Sequence, residues 1–254
     1  MGYGVRKQGI EWAILIMNCF TDEKPELRLQ EICEKLDLNK STAHGIINTL
    51  KHHGLIEQDP ETQKYRLGLN LLVLGSKVLN RLDVRTIAAP ILKEVCAKTD
   101  ETVHLGILDG IEVVYIDKYE SSQSMRLFTK IGTRYPAYCT GIGKAMLAFM
   151  PTEEQIKSIP DELNRFTEYT LKDKKEVIEH LKKVKQQGYA IDDEENMEGL
   201  RCVGAPIFDY SGKVVAAISV AGPSIRMTKD KIHEIIDILR EAAEEISKRL
   251  GYQK

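Results

Sequence analysis

The stretch DLNKSTAHGIINTLKHHGLIEQDPETQKYRLG, residues 37–68, restricts the N-terminal fold more than any other part of the chain. Ala43, Ile46, Ile47 and Leu50 recur at helical spacing, with Asn39 as a side-chain cap in front and Gly54 just past the last turn. At 100° per residue, Ser41, Gly45, Asn48 and His52 fall on the opposite face, so this helix offers solvent a polar row rather than a charged one. Lys40, Ser41 and Thr42 occupy its first turn, where free backbone N–H groups and hydroxyls suit a phosphate. Directly behind it, Leu55–Gln58 and Lys64–Leu67 are strand-like, joined by Asp59-Pro60-Glu61-Thr62-Gln63, whose residues favour a turn.

Two helices are expected ahead of this segment. Ile10, Ala13, Ile14 and Met17 predict a helix over about 5–20 with those four residues buried; Leu29, Ile32, Cys33 and Leu36 predict a shorter one that stops before Asp37. Helix, short helix, turn, helix, hairpin is the order of a winged helix-turn-helix, whose third helix enters the major groove while the hairpin reaches the flanking backbone. Lys64 and Arg66 are then available for phosphates. A small helical domain with a hairpin also serves as a protein-docking module, and pattern alone leaves both open. Charge does not separate them: the chain of 254 residues carries a net charge of -2, so any nucleic-acid footprint must be local.

Residues 69–83 are apolar on more than one face, through Leu69, Leu71, Leu72, Val73, Leu74, Val78, Leu79 and Leu82. A helix of this kind must be covered on several sides, either by the chain's own second domain or by another copy. From Val84 onward the texture changes to an α+β domain with an antiparallel sheet. Its expected elements are a helix through Ile91 and Leu92, strands at Thr102–Leu108, Val113–Ile116 and Met125–Ile131, and a helix over Thr140–Phe149. A charged helix Lys174–Gln187, strands near Tyr189 and at Val203–Phe208 and Val214–Val220, and a final helix through Ile232 and Leu250 complete it.

TGIGKAMLA, residues 140–148, is not a P-loop: only Ile142 separates its glycines, and Ala145 follows the lysine where a hydroxyl would have to meet magnesium. What remains is a strand-to-helix turn, either an anion site at the N–H groups of Gly141 and Ile142 or a device for close packing. The five cysteines form no CxxC pair and suit free thiols in a cytosolic protein, and no apolar run reaches the ~20 residues of a membrane span. The six histidines lie in no catalytic motif, so no enzyme and no cofactor are expected. Cys139, Cys202, His104 and Asp192 lack metal-ligand spacing, and His104, in a strand, is expected to be a satisfied core residue.

The segment KSTAHGIINTLKHHGLIEQDPETQKYRLG and the following LGLNLLVLGS resemble the recognition helix, wing and linker helix of the IclR family of bacterial transcriptional regulators. GYAIDDEENMEGLRCVGAPIFD, residues 188–209, resembles the characteristic segment of that family's effector domain, so the resemblance spans nearly the whole chain. It implies a winged helix-turn-helix domain over 1–68 that grips double-stranded operator DNA through Lys40, Ser41, Thr42, His44, Gly45, Asn48, Lys64 and Arg66. It further implies a linker helix over 69–83 and a GAF-like effector-binding and oligomerisation domain over 84–254. Asp192, Leu200, Cys202, Ser219 and Ala221 would line a small-molecule pocket, with Leu127, Tyr138, Thr140, Gly141 and Ile142 as further walls. The implied ligand is a small organic acid, a sugar-derived keto acid by preference; the implied assembly is a homodimer, with a tetramer as a further option; the implied action is repression. Two residues depart from the family pattern: Gly45 where a long basic side chain is frequent, and Ala221 where a second serine is frequent.

Overall fold

In the computed structural model the described residues are 9–79, 83–124, 127 and 129–253. The chain divides into two compact units, Met1–Arg81 and Leu82–Lys254.

The first unit holds α1 (Gly9–Met17), β1 (Glu26–Leu27), α2 (Leu29–Leu36), α3 (Lys40–His52), β2 (Ile56–Gln58), β3 (Tyr65–Leu67) and α4 (Asn70–Leu79). Asp37, at φ 51°, turns the chain out of α2, and its N–H closes on Cys33 O. Asn39 then caps α3, its Oδ1 accepting the Thr42 N–H at 2.9 Å. Ala43, Ile47 and Leu50 are buried as their spacing predicts, in a core shared with Ile16, Phe20, Ile32 and Tyr65. The hairpin pairs Ile56 with Leu67, and β1, too short to show any alternation in sequence, adds a third strand beyond β3. Gly68 allows the chain to leave the wing: a Cβ there would lie 2.2 Å from Gly54 O.

One expected face is corrected. Ile10 and Ile14 are 77% and 50% exposed, and α1 buries Ile16 instead. The run Trp12–Met17 is apolar on every side, so its periodicity has no single phase; continuation of the chain into buried Cys19 and Phe20 selects the side that faces the core. On α4, Leu72, Val73 and Leu74 are exposed, as is Leu69 just before it. Of the expected linker helix, residues 80–82 lie outside the described residues.

The second unit comprises α5 (Asp83–Thr99), β4 (Thr102–Asp109), β5 (Glu112–Tyr119), β6 (Arg134–Pro136), a 3-10 turn at Ala137–Cys139, α6 (Gly141–Leu147), α7 (Thr152–Lys157), α8 (Lys174–Gln187), β7 (Ala190–Asp193), β8 (Leu200–Phe208), β9 (Val214–Pro223) and α9 (Lys229–Arg249). The strands form one antiparallel sheet in the order β6-β5-β4-β9-β8-β7. Alternation along the strands sends Val203, Ile218 and Val220 into a core with Leu92 of α5 and Leu239 of α9. Ala217 and Val113 join a second core with Ile142 of α6 and Leu181 of α8, so the sheet is covered on both faces. This is the expected α+β class, with one difference at the sheet edge. Of Met125–Ile131, residues 125, 126 and 128 lie outside the described residues and the others are not in a strand; the edge is β6 instead. Among the described residues no helix is long and apolar enough to cross a membrane.

Candidate functional site

Two places in the molecule collect the polar residues singled out from the sequence, one in each unit. On α3, Lys40, Ser41, Thr42, His44, Gly45 and Asn48 are all exposed. Asn39 Oδ1 takes both the Thr42 N–H and the Ser41 hydroxyl, which leaves Lys40 as a first-turn cation without an ion-pair partner among the described residues. Asn48 Nδ2 lies 3.2 Å from His44 Nδ1, one helical turn away; with the amide donating, Nδ1 is the acceptor and Nε2 carries the ring proton. Apart from its chain neighbours and its own helix backbone, no atom of the described residues lies within 4 Å of the point a Cβ would occupy on Gly45, so packing among them does not require glycine there.

The wing separates its two expected cations. Arg66 is held between Glu57 at 3.3 Å and Glu26 at 3.8 Å, so its charge is already shared within the sheet. Lys64 is half-buried, with no ion-pair partner among the described residues. Beside the wing, Asp22, Glu23, Glu26 and Glu31 mix with Lys24, Lys64 and Arg66 around a broad open depression whose mixed charges face solvent.

The second unit contains a partly open cavity of about 300 Å³. Its walls include Leu127, Thr140, Gly141, Asp192, Leu200, Cys202 and Ala221 from the expected set, and also His104, Tyr115, Thr129, Tyr135, Asn196 and Met197, which sequence reasoning missed. Three expected residues are not among its walls. The Tyr138 hydroxyl donates to Asn164 O at 2.7 Å, Ile142 packs into the second core, and Ser219 is buried beside Cys202.

Glycines bring the start of α6 onto the sheet. A Cβ on Gly204 of β8 would lie 2.3 Å from Gly141 O, and one on Gly143 would lie 2.2 Å from Ala137 O. Thr140 caps the helix, its hydroxyl oxygen accepting the Gly143 N–H at 3.2 Å while it donates to Pro136 O. The helix end therefore meets the cavity at Thr140 and Gly141, beside Cys202.

The opposite wall is a turn between β7 and β8, organised by Asp192. Its Oδ1 accepts the Glu195 N–H at 2.8 Å and the Asn196 N–H at 3.4 Å. Lys144 of α6, wholly buried, extends its ammonium to Ile191 O at 2.5 Å and to the Glu195 carboxylate, tying that turn to the helix. Thr167 and Thr170 hold the same turn through the Glu194 and Glu195 carbonyls.

Burial pushes the Asp192 carboxyl up to about 7, with Glu195 adding to the rise and Lys144 opposing it. Burial and Asp192 raise the Cys202 thiol to about 12, so it stays protonated. His104 is driven down to about 3 by burial and by Lys118, and is neutral. Such groups bind through hydrogen bonds; neither the thiol nor the imidazole is activated as a nucleophile or base at neutral pH. No group of three or more His, Cys, Asp or Glu among the described residues could hold a metal ion.

Comparison with known proteins joins these two places. Residues 76–248 match the family described as bacterial transcriptional regulator IclR, C-terminal, and residues 10–60 match the IclR helix-turn-helix domain. The HTH-type transcriptional regulator XynR of Escherichia coli K12 is 36% identical over 96% of this chain and 98% of its own. The regulator KdgR of Dickeya chrysanthemi is 39% identical over 91% and 76%, and the transcriptional repressor AllR of Salmonella typhi 32% over 96% and 90%. Among solved structures, that of the Thermotoga maritima IclR aligns with a TM-score of 0.78 at 37% identity, covering 96% of this chain and 97% of that one.

Proposed function

Because the chain belongs to the IclR family of bacterial transcriptional regulators, and is thus a DNA-binding regulator rather than an enzyme, we propose that it is a repressor whose hold on operator DNA is set by a small organic acid bound in the C-terminal cavity. The observation that carries this reading is the cavity itself. It is small, only partly open to solvent, and bounded by a helix N-terminus, a threonine, a protonated thiol and a carboxyl poised near neutrality. A few convergent polar groups in an otherwise apolar and aromatic wall suit a compact polar ligand. Repression is supported by the AllR relative, whose name is that of a repressor.

α3 reads the major groove through His44 and Asn48, while Lys40 and Lys64 contact phosphates and Arg66 shares its charge with DNA only by loosening Glu57 and Glu26. A homodimer presents two such heads, with half-sites about one helical turn or a multiple of it apart. The exposed Leu69, Leu72, Val73 and Leu74 support pairing of two copies along α4. Ligand binding then shifts DNA affinity by a coupling energy of ~1–3 kcal/mol.

The test is fluorescence anisotropy with the DNA upstream of the protein's own gene and neighbouring operons, against excess random duplex, with and without a panel of small organic acids. Specific binding that one acid weakens is the expected result. Specific binding that no acid alters removes the effector part of the reading, and binding that an acid strengthens removes the release mechanism.

A further inference from the structure

Among the described residues, no lysine or arginine lines the cavity of the second unit. Lys118 and Lys144 hold segments of its walls, but their ammonium groups are spent on protein oxygens: Lys118 on the carbonyls of Leu127 and Thr129, Lys144 on Ile191 O and the Glu195 carboxylate. The wall threonines are committed in the same way. Thr140 donates to Pro136 O, and Thr129 Oγ1 meets His104 Nε2 at 2.6 Å. A ligand must therefore be met by neutral donors that the fold itself leaves unused.

Tyr115 of β5 carries the most confined of these. It is 9% exposed, and its ring is fixed against His104, stacked at 4.7 Å and 25°, and against Tyr135 at 5.6 Å. Its hydroxyl has no hydrogen-bond partner among the described residues, yet it is not one of their sealed, unpartnered polar atoms. The little surface that Tyr115 keeps thus includes Oη, and the residue forms part of the cavity wall. Asn196 and Tyr135 stand on the same wall but are half-buried, so water can satisfy their polar groups. Bulk water reaches the Tyr115 phenol poorly, so a ligand oxygen there gains more.

The surroundings also decide what kind of oxygen. Burial, with Cys202, Tyr135, Asp192 and Cys139 adding to it, holds the phenol well above its ordinary value, so Tyr115 remains an O–H donor at physiological pH. What disfavours a phenolate at this point disfavours a carboxylate against it as well, the more so with the Asp192 carboxyl on the same cavity. A carbonyl or hydroxyl oxygen meets no such penalty. We propose that Tyr115 is a specificity-determining residue of the effector site, its phenol donating to an uncharged oxygen of the ligand apart from the carboxylate, so that oxo and hydroxy acids are preferred to their unsubstituted counterparts. This rests on the effector reading given above and adds to it a residue and a selectivity that the reading does not contain.

The test is isothermal titration of the full-length protein with matched acid pairs: pyruvate and propionate, glyoxylate and acetate, 2-oxoglutarate and glutarate, 4-hydroxybenzoate and benzoate. In at least one pair the oxygenated member binds about tenfold more tightly than the other, because the unsubstituted acid leaves the phenol unpaired. Tyr115→Phe, which keeps the ring against His104 and removes one oxygen, brings that ratio toward one by weakening the oxygenated member alone. Tyr135→Phe leaves the ratio nearly as it was. Equal weakening of both members by Tyr115→Phe places the phenol on the carboxylate, and a ratio that survives the substitution, or that Tyr135→Phe removes instead, takes Tyr115 out of the recognition. Each of these overturns the assignment and leaves the effector reading standing. Should Tyr115→Phe fail to fold, as judged by its melting transition, the unsubstituted protein still decides: acids that it binds without preference for the added oxygen overturn the assignment. If no acid of either kind binds, the effector reading falls and the assignment with it.

Discussion

Glycines sit in both helices that the functional reading depends on, and their surroundings are opposite. Gly45 on α3 has open space where a side chain would go, whereas Gly141 and Gly143 on α6 have none. The first helix is a surface whose shape matters only to something outside the unit. The second is a packing joint, and the cavity exists because backbone meets backbone there. Substitutions in the two regions should therefore fail in different ways: around α6 through stability, on α3 through recognition.

The largest effect should come from Lys144→Ala. It leaves the Glu195 carboxylate buried without its partner, and a broken buried pair typically costs ~3–5 kcal/mol. Denaturant unfolding of the full chain followed by circular dichroism should show that loss in the transition of the C-terminal unit. Lys144→Met combined with Glu195→Gln should recover much of it, since neither neutral side chain leaves an unpaired buried charge. If the single change were silent, the turn that lines the cavity would not depend on this contact.

Next in size is a pH dependence tied to Asp192. Its folded value of about 7 lies above the ordinary carboxylate value of 3.8, so the folded state binds the proton more tightly than the unfolded chain. Stability falls as pH rises from about 4 to about 7 and levels off above that, by on the order of a few kcal/mol for this group alone. Asp192→Asn should flatten that slope in melting curves across the same window. An unchanged slope would mean that other groups carry it.

Gly143→Ala comes third. With Ala137 O at 2.2 Å from the added methyl, the helix start must lift from the 3-10 turn, and overpacking of this kind costs about 1–3 kcal/mol. The melting temperature should drop, and organic-acid response should weaken more than operator binding measured without ligand.

How much of this could be read from residue order differs between the same two regions. α3 and α8 were legible because their ends are chemical: Asn39 and Asp173 cap them, and α8 stops at Gly188 with φ 81°. α1 was legible as a helix but not in its phase, since an all-apolar run has no preferred side. For the cavity, Asp192, Leu200 and Cys202 lie in one segment whose spacing is distinctive, so the family resemblance picked them out. His104, Tyr115 and Thr129 come from separate elements whose convergence depends on strand order, and no local pattern encodes that. A histidine in an apolar strand is usually a satisfied core residue; only the assembled sheet reveals that one of its ring nitrogens has no partner among the described residues.

The smallest effect is the one that best divides the two regions. Gly45→Ala introduces a methyl into open space and removes the entropic cost of glycine inside a helix, so the N-terminal unit should become more stable by about 1 kcal/mol. Stability and recognition are then measured on one variant, by thermal melting and by operator titration against random duplex. A rise in stability with unchanged operator affinity assigns Gly45 to simple tolerance on an exposed face. The same rise with a loss of operator affinity means that DNA approaches the α3 backbone at this point, closely enough that a single methyl intrudes. A fall in stability would contradict the open space around Gly45 and remove the contrast with α6 altogether.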